Sequence, residues 1–190
     1  PMSRLVFTSL ALTSMGLSGC AVPHAPGSSD LTRLTASEAV QAVCSRRVSS
    51  EQLNRAYLAR AQARAPLNAF VTLDADGAMA AARLADQRLA AGQPCLPLQG
   101  VPYVVKDNIE VAGLPASAGT PALKGFVPKA DAPVAAKLRA AGAIVLGKTN
   151  MHELAFGISG YNLAFKSGAQ PGVRNAYDPT RIAGGSSSGS

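Results

Sequence analysis

Two short apolar runs on either side of a helical segment constrain the fold of this chain more than any other feature. The runs are Val101–Val105 and Ala143–Leu146, and the helix between them begins near Asp131 and ends at Gly142. Short apolar runs bounded by Gly and Pro are typical of buried strands. Because a helix joined to strands by short connections is typical of α/β proteins, the sequence predicts an α/β fold.

Further elements are predicted before this unit. The segments 35–38 and 49–52 each place a Thr or Ser three residues before a Glu or Gln, which is the capping-box pattern of a helix start. The second of these helices runs to about Ala65. A strand is then predicted at Phe70–Leu73 and an alanine-rich helix at Asp76–Ala91.

Composition and charge exclude two classes of protein. Hydrophobic residues make up 47% and charged residues 15% of the 190 positions, which excludes a disordered polyelectrolyte. The net charge of +7 comes from scattered basic residues, with Arg46-Arg47 as the longest run, and aromatic residues are only 5%. Because single-stranded nucleic acids require basic grooves with aromatic platforms, we expect a solvated basic surface and no nucleic-acid partner.

The N-terminus has the pattern of a secretory signal peptide. Arg4 supplies a positive start, Leu5–Leu17 is mostly apolar, and small residues precede Cys20. No apolar run reaches the ~18 residues that span a bilayer, as is usual for a cleaved signal. The stretch Leu17-Ser18-Gly19-Cys20 resembles a bacterial lipobox, which implies cleavage before Cys20 and lipidation of its thiol. An ordinary signal peptide with an incidental cysteine is the alternative.

This pattern predicts three parts of the chain. They are a signal peptide at 1–19, a lipidated tether rich in Pro, Ser and Gly at 20–30, and a folded part at 31–190. Several acyl chains on Cys20 would anchor the protein stably to a membrane. Ala21 rather than Asp after the cysteine points to the outer membrane, so the expected location is the cell envelope, facing the periplasm.

The cysteines and histidines give no pattern typical of a metal site. No Cys-x-x-Cys or Cys/His spacing occurs, and Phe156 stands four residues after His152 where a zinc-protease helix needs a second His. In an oxidising compartment, Cys44 and Cys95 fit a disulfide and fit two separate buried thiols equally well.

Two motifs suggest functions when their residues are considered without structural context. Gly142–Thr149 matches the G-x-x-x-x-G-K-T pattern of phosphate-binding loops. Its four intervening residues are themselves the apolar strand, so no loop of exposed amides is left to wrap a phosphate, and we expect no nucleotide site. Gly184–Ser190 has the composition of a flexible linker.

Three blocks in order resemble the amidase signature family, which are serine hydrolases of amides. The blocks are Gly100–Asn108, Ala140–Met151 and Arg174–Ser190. The resemblance implies a mixed sheet core covered by helices, with 31–190 as the N-terminal part of a single amidase domain truncated at its C-terminal end. It also replaces the linker interpretation of Gly184–Ser190 with a catalytic one.

The resemblance implies catalytic roles for two residues. Lys106 corresponds to the general base and Ser186 to the serine that bridges the base and the nucleophile. The apolar strand before Lys106 supplies a dry setting in which a lysine can act as a base, and a solvated lysine at the end of a strand is the alternative. The family's cis peptide is expected at Gly185–Ser186, and its attacking serine is expected beyond Ser190, so this piece alone is expected to be inactive. The substrate is a small-molecule amide, and no cofactor is implied.

The segment Asn150–Gly157 is similar to the branch of the family that cleaves arylacetamides. The tRNA-dependent amidotransferase subunit is the competing branch, but an exported lipoprotein would meet no charged tRNA. The resemblance implies that Ala155, Phe156 and Gly157 border the substrate pocket; a packed core turn is the alternative. A hypothesis of a different class is a non-catalytic envelope lipoprotein that keeps the fold as a binding module.

Overall fold

The computed structural model describes residues 30–165 and 171–190. The predicted signal peptide, Cys20 and the tether up to residue 29 lie outside the described residues. Within the described ranges, no helix is both long enough and apolar enough to cross a membrane.

Four helices and three strands form in the predicted order among the described residues. The helices are α1 (Ala36–Cys44), α2 (Ser50–Ala63), α3 (Ala75–Ala90) and α4 (Pro133–Ala140), and the strands are β1 (Phe70–Leu73), β2 (Pro102–Lys106) and β3 (Ile144–Thr149). Both predicted capping boxes are present, with Thr35 capping α1 and Ser49 capping α2. The main difference is at β3, which continues three residues beyond the predicted end at Leu146 because residues 147–149 pair with both β1 and β2.

The three strands form one mixed sheet in the order β1-β3-β2. The central strand β3 is antiparallel to β1 and parallel to β2. Gly147 permits the close approach of β1, because a Cβ atom there would lie 2.1 Å from the Thr72 carbonyl oxygen. The α/β class and the mixed sheet are therefore both confirmed.

Helices cover both faces of β3. Ile144 and Leu146 pack with Leu58 of α2 and with the small residues of α3. Val145 faces the other way and packs with Val105 of β2 and with Ala135 of α4. All six residues of β3 are buried, which explains why its first half is a continuous apolar run rather than an alternating one.

A disulfide joins Cys44 at the end of α1 to Cys95 in the connection between α3 and β2. The Cα atoms of the pair are 5.8 Å apart, a separation usual for a disulfide. The alternative of two separate buried thiols is wrong.

Candidate active site

The candidate base lies at the carboxyl end of a strand. Lys106 is the last residue of β2 and stands opposite Thr149, the last residue of β3. Parallel strands end at the same edge of a sheet, where ligand sites of α/β proteins commonly lie. Val105 is buried before it, whereas Lys106 is half-buried, so its Nζ atom reaches the edge of the sheet.

The structure brings Lys106 and Ser186 together. Lys106 Nζ donates a hydrogen bond to Ser186 Oγ at 3.3 Å, across 80 positions of sequence. The main chain of Ser186 is held as well, because its carbonyl accepts from the His152 N–H at 3.2 Å. A lysine bonded to a serine hydroxyl is the arrangement needed to pass a proton between them.

The segment Gly184–Ser190 is not a flexible linker. The Gly185 N–H donates to the Ile158 carbonyl at 2.6 Å, and the Gly189 N–H donates to the Asn150 carbonyl at 3.0 Å. Ser190 Oγ lies 2.8 Å from Thr149 Oγ1. These bonds attach the segment to the end of β3 and to the residues that follow it.

The expected cis peptide at Gly185–Ser186 is wrong, since none of the described peptide bonds is cis. Gly184 and Gly185 both have positive φ, at 80° and 73°. Glycine adopts this left-handed conformation at no steric cost, so two successive glycines turn the chain toward Ser186 with trans peptide bonds.

The candidate substrate segment runs alongside Ser186. Phe156 is 91% exposed, which excludes a packed core position for its ring, while Ala155 and Gly157 are half-buried. Leu154 and Ala155 have φ values of 52° and 57°, a strained conformation for non-glycine residues. Such strain persists only where surrounding contacts over-determine it, and it is frequent at ligand sites.

A buried ion pair lies next to Lys106, because one of its members is the following residue, Asp107. The sequence did not predict this pair. Lys148 Nζ is 3.6 Å from Asp107 Oδ1, and both side chains are 0% exposed. Lys148 Nζ also donates to the main-chain carbonyls of Asp107 at 3.4 Å and Pro115 at 3.0 Å. Burial lowers the pKa of Lys148, and the Asp107 charge opposes this effect. A lysine within the buried β3 run was the signal that could have indicated a buried partner.

The Asp107 carboxylate is held from its other side by a tight turn. Its Oδ2 atom accepts from the Ser117 N–H at 3.1 Å, from the Gly119 N–H at 3.3 Å and from the Ser117 hydroxyl. A carboxylate with a cation on one oxygen and three donors on the other has one fixed orientation.

A cavity among the described residues lies apart from the Lys106–Ser186 pair. A cavity of about 510 Å³ is lined by α3, residues 111–114 and the start of β3, and neither Lys106 nor Ser186 lines it. Within residues 30–165 and 171–190, no three His, Cys, Asp or Glu side chains cluster as metal ligands.

The family of the chain follows from a comparison with known proteins. A family model described as amidase matches residues 52–190, which include the three strands β1, β2 and β3, Lys106 and Ser186. The chain belongs to the amidase family. The match covers most of the chain and agrees with the three blocks that carried the resemblance.

Curated amidase relatives include two kinds of enzyme. Mandelamide hydrolase of Pseudomonas putida is 54% identical over 160 residues, which are 84% of this chain and 32% of that protein. A glutamyl-tRNA(Gln) amidotransferase subunit of Acidothermus cellulolyticus is 47% identical over 163 residues, which are 85% of this chain and 31% of that protein. The chain therefore spans about a third of the length of the curated relatives that it matches.

Solved amidase structures share the fold. The native peptide amidase from Stenotrophomonas maltophilia superimposes with a TM-score of 0.76 and 36% identity, over 83% of this chain and 33% of that chain. A bacterial aryl acylamidase of the amidase signature family superimposes with a TM-score of 0.75 and 28% identity, over 82% of this chain and 32% of that chain.

Proposed function

We propose that the protein containing this chain hydrolyses carboxylic amides by a Ser-Ser-Lys mechanism. The observation that carries the proposal is the 3.3 Å hydrogen bond between Lys106 Nζ and Ser186 Oγ at the carboxyl edge of the sheet. Membership of the amidase family supports the same chemistry. The products are a carboxylic acid and ammonia or an amine.

Lys106 and Ser186 carry a proton away from the nucleophile and later return a proton to the leaving nitrogen. As the nucleophile attacks the amide carbon, its hydroxyl proton passes to Ser186 Oγ and the Ser186 proton passes to Lys106 Nζ. When the C–N bond breaks, the transfer runs in reverse and protonates the leaving nitrogen. Water then attacks the ester left on the nucleophile and gives up a proton along the same path, which releases the carboxylic acid and restores the nucleophile's hydroxyl. Lys106 must be unprotonated at the start of this cycle, because an ammonium group has no lone pair to accept a proton.

The nucleophile in this proposal is a serine in the chain beyond Ser190. The curated relatives are about three times as long as their match to this chain, which leaves room for such a residue. Two of the three serines that follow Ser186 are less suited to the role. Ser188 is only 8% exposed, and the Ser190 hydroxyl is bonded to Thr149.

Arylacetamides are the substrate class that we favour, with Ala155, Phe156 and Gly157 bordering the pocket. The support is the 54% identity to mandelamide hydrolase and the 91% exposure of the Phe156 ring, because an exposed aromatic face can stack with an aromatic substrate. The 47% identity to an amidotransferase subunit makes amide transfer to glutamyl-tRNA(Gln) the second candidate function. The predicted export of this protein counts against that candidate.

Replacement of Ser186 tests the relay. In the complete gene product, Ser186→Ala is expected to lower kcat for ammonia release from mandelamide by about 100- to 1,000-fold, because the proton path to Lys106 is lost. The exposed Ser37→Ala in α1 is the matched control and should keep wild-type rates. Wild-type kcat in folded Ser186→Ala would contradict the relay, and a wild-type protein that releases no ammonia from any arylacetamide would contradict the substrate class.

We also propose that the protein is a lipoprotein of the cell envelope, anchored at Cys20 and facing the periplasm. The Cys44–Cys95 disulfide supports an oxidising compartment, since cytosolic thiols are normally kept reduced. The lipobox resemblance of residues 17–20 supports the anchor.

Cys20→Ser tests the anchor. The unmodified wild-type chain should partition with membranes and lose the residues before Cys20, whereas Cys20→Ser should remain uncleaved or appear in the soluble fraction, because it has no thiol to lipidate. Membrane fractionation with an intact mass measurement distinguishes the forms. Recovery of wild-type protein in the soluble fraction, with no lipid mass on Cys20, would contradict the proposal.

A further inference from the structure

We infer that Lys148 and Asp107 are positioning residues, which together hold the base Lys106 and the candidate substrate segment in one fixed arrangement. The inference rests on the proposed function, because it assigns Lys106 the role of base. Neither residue reaches the edge of the sheet, since both are 0% exposed, so neither is expected to touch substrate.

The first contacts fix the end of β2. Lys148 Nζ donates to the Asp107 carbonyl at 3.4 Å, and the Asp107 N–H donates to the Thr149 carbonyl at 3.1 Å. Both main-chain groups of the residue directly after Lys106 are thereby bound to β3. The direction in which the Lys106 side chain leaves the strand depends on these bonds.

The second set of contacts runs from the pair to the substrate segment. Lys148 Nζ holds the Pro115 carbonyl at 3.0 Å, while the Asp107 carboxylate holds the turn at Ser117 and Gly119. Within that turn, the Ala118 carbonyl accepts from the Leu154 N–H at 2.8 Å.

The residues at both ends of this last bond have strained backbones. Ala118 has a φ of 51°, and Leu154 has a φ of 52°. Leu154 directly precedes the candidate substrate residues 155–157. The buried pair therefore lies between Lys106, to which Asp107 is joined by a peptide bond, and the strained start of the substrate segment, which is hydrogen-bonded to the 117–119 turn that Asp107 holds.

Packing alone does not explain a buried pair at this point. Two charges removed from water are costly, and apolar residues of similar volume are often as stabilising or more so. What apolar residues would not supply is the set of directional bonds to the Asp107 and Pro115 carbonyls and to the 117–119 turn. Those bonds determine geometry, which is what a catalytic base and a substrate segment require.

The test uses the complete gene product with Lys148→Met and with the double variant Asp107→Asn/Lys148→Met, which leaves no unpaired buried charge. Lys137→Met in α4 is the matched control, because Lys137 is exposed. Three quantities are measured: kcat and KM for a primary arylacetamide, and the rate at which Lys106 is reductively methylated relative to the exposed Lys129, followed by peptide mass spectrometry. Circular dichroism reports whether each variant folds.

The inference predicts that a folded double variant loses about 100-fold in kcat while KM changes by less than about threefold, since misplacement of a catalytic group affects the chemical step. Methylation of Lys106 should also become faster, because its amine is no longer held in place. Wild-type kcat and an unchanged methylation rate in the folded double variant would overturn the inference. So would failure of the double variant to fold, which would make the pair purely structural.

The two proposals fail separately. If the wild-type protein hydrolyses no amide, the proposed function is wrong, and the methylation rate of Lys106 alone decides whether Lys148 and Asp107 position it.

Discussion

Lys106→Met in the complete gene product is expected to lower kcat for amide hydrolysis by about 1,000-fold or more, because Ser186 Oγ loses the amine at 3.3 Å that takes its proton in the proposed relay. Lys106 is half-buried at the end of β2, so methionine fits the same space without a new buried charge. The fold should therefore survive. Steady-state rates of ammonia release from mandelamide, measured beside thermal unfolding, give both quantities.

Lys137→Met is the control for the loss of one lysine charge, since Lys137 is exposed on α4. Its rates should equal those of the wild type. Retention of more than about a tenth of wild-type kcat in folded Lys106→Met would exclude Lys106 as the base, because general-base residues contribute at least about 100-fold.

The second large effect is expected on stability. Lys148→Met should lower the free energy of unfolding by about 3–5 kcal/mol, because it leaves the buried Asp107 carboxylate without its cation. The two side chains are 3.6 Å apart and 0% exposed, so water cannot replace the lost partner. Urea unfolding followed by circular dichroism measures the change.

The double variant Asp107→Asn/Lys148→Met separates the charge effect from packing. The amide oxygen of the introduced asparagine can still accept from the 117–119 turn, and no unpaired charge remains. The double variant should therefore recover a large part of the stability lost in Lys148→Met. Equal stabilities of Lys148→Met and the wild type would show that the ion pair contributes nothing to folding.

Local patterns were sufficient to predict most of the elements. The capping boxes at Thr35 and Ser49 specify helix starts through neighbouring side chains, and both formed. The apolar run of β3 specifies a buried strand, because helices cover both of its faces. The apolar run of β2 forms a strand as predicted, but at the edge of the sheet, where only Val105 is buried. Each of these signals lies within a few residues of the element that it specifies.

The match of Gly142–Thr149 to the phosphate-binding-loop pattern shows that structural context determines the function of a motif. Its intervening residues form β3, and its lysine is 0% exposed and bonded to Asp107 rather than facing a phosphate. The prediction of a strand at its apolar residues is confirmed. That lysine's structural partner was missed, because Asp107 lies 41 positions away and no local signal joins the two.

The candidate site could be assembled from sequence only through the family resemblance. Lys106 and Ser186 are 80 positions apart, and spacing alone would not have paired them. The expected cis peptide at Gly185–Ser186 was wrong because Gly184 and Gly185 turn the chain through positive φ values instead. The sequence alone does not decide whether the disulfide forms, because its formation depends on the distance between α1 and the connection after α3.

Active-site labelling tests the proposed relay most directly. The complete gene product would be treated with a fluorophosphonate, which forms a covalent adduct with an activated serine, and the modified peptide would be mapped by mass spectrometry. We expect an adduct on a serine beyond Ser190 that is lost in Lys106→Met. An adduct on Ser186 itself, or labelling of the expected serine that persists unchanged without Lys106, would contradict the relay.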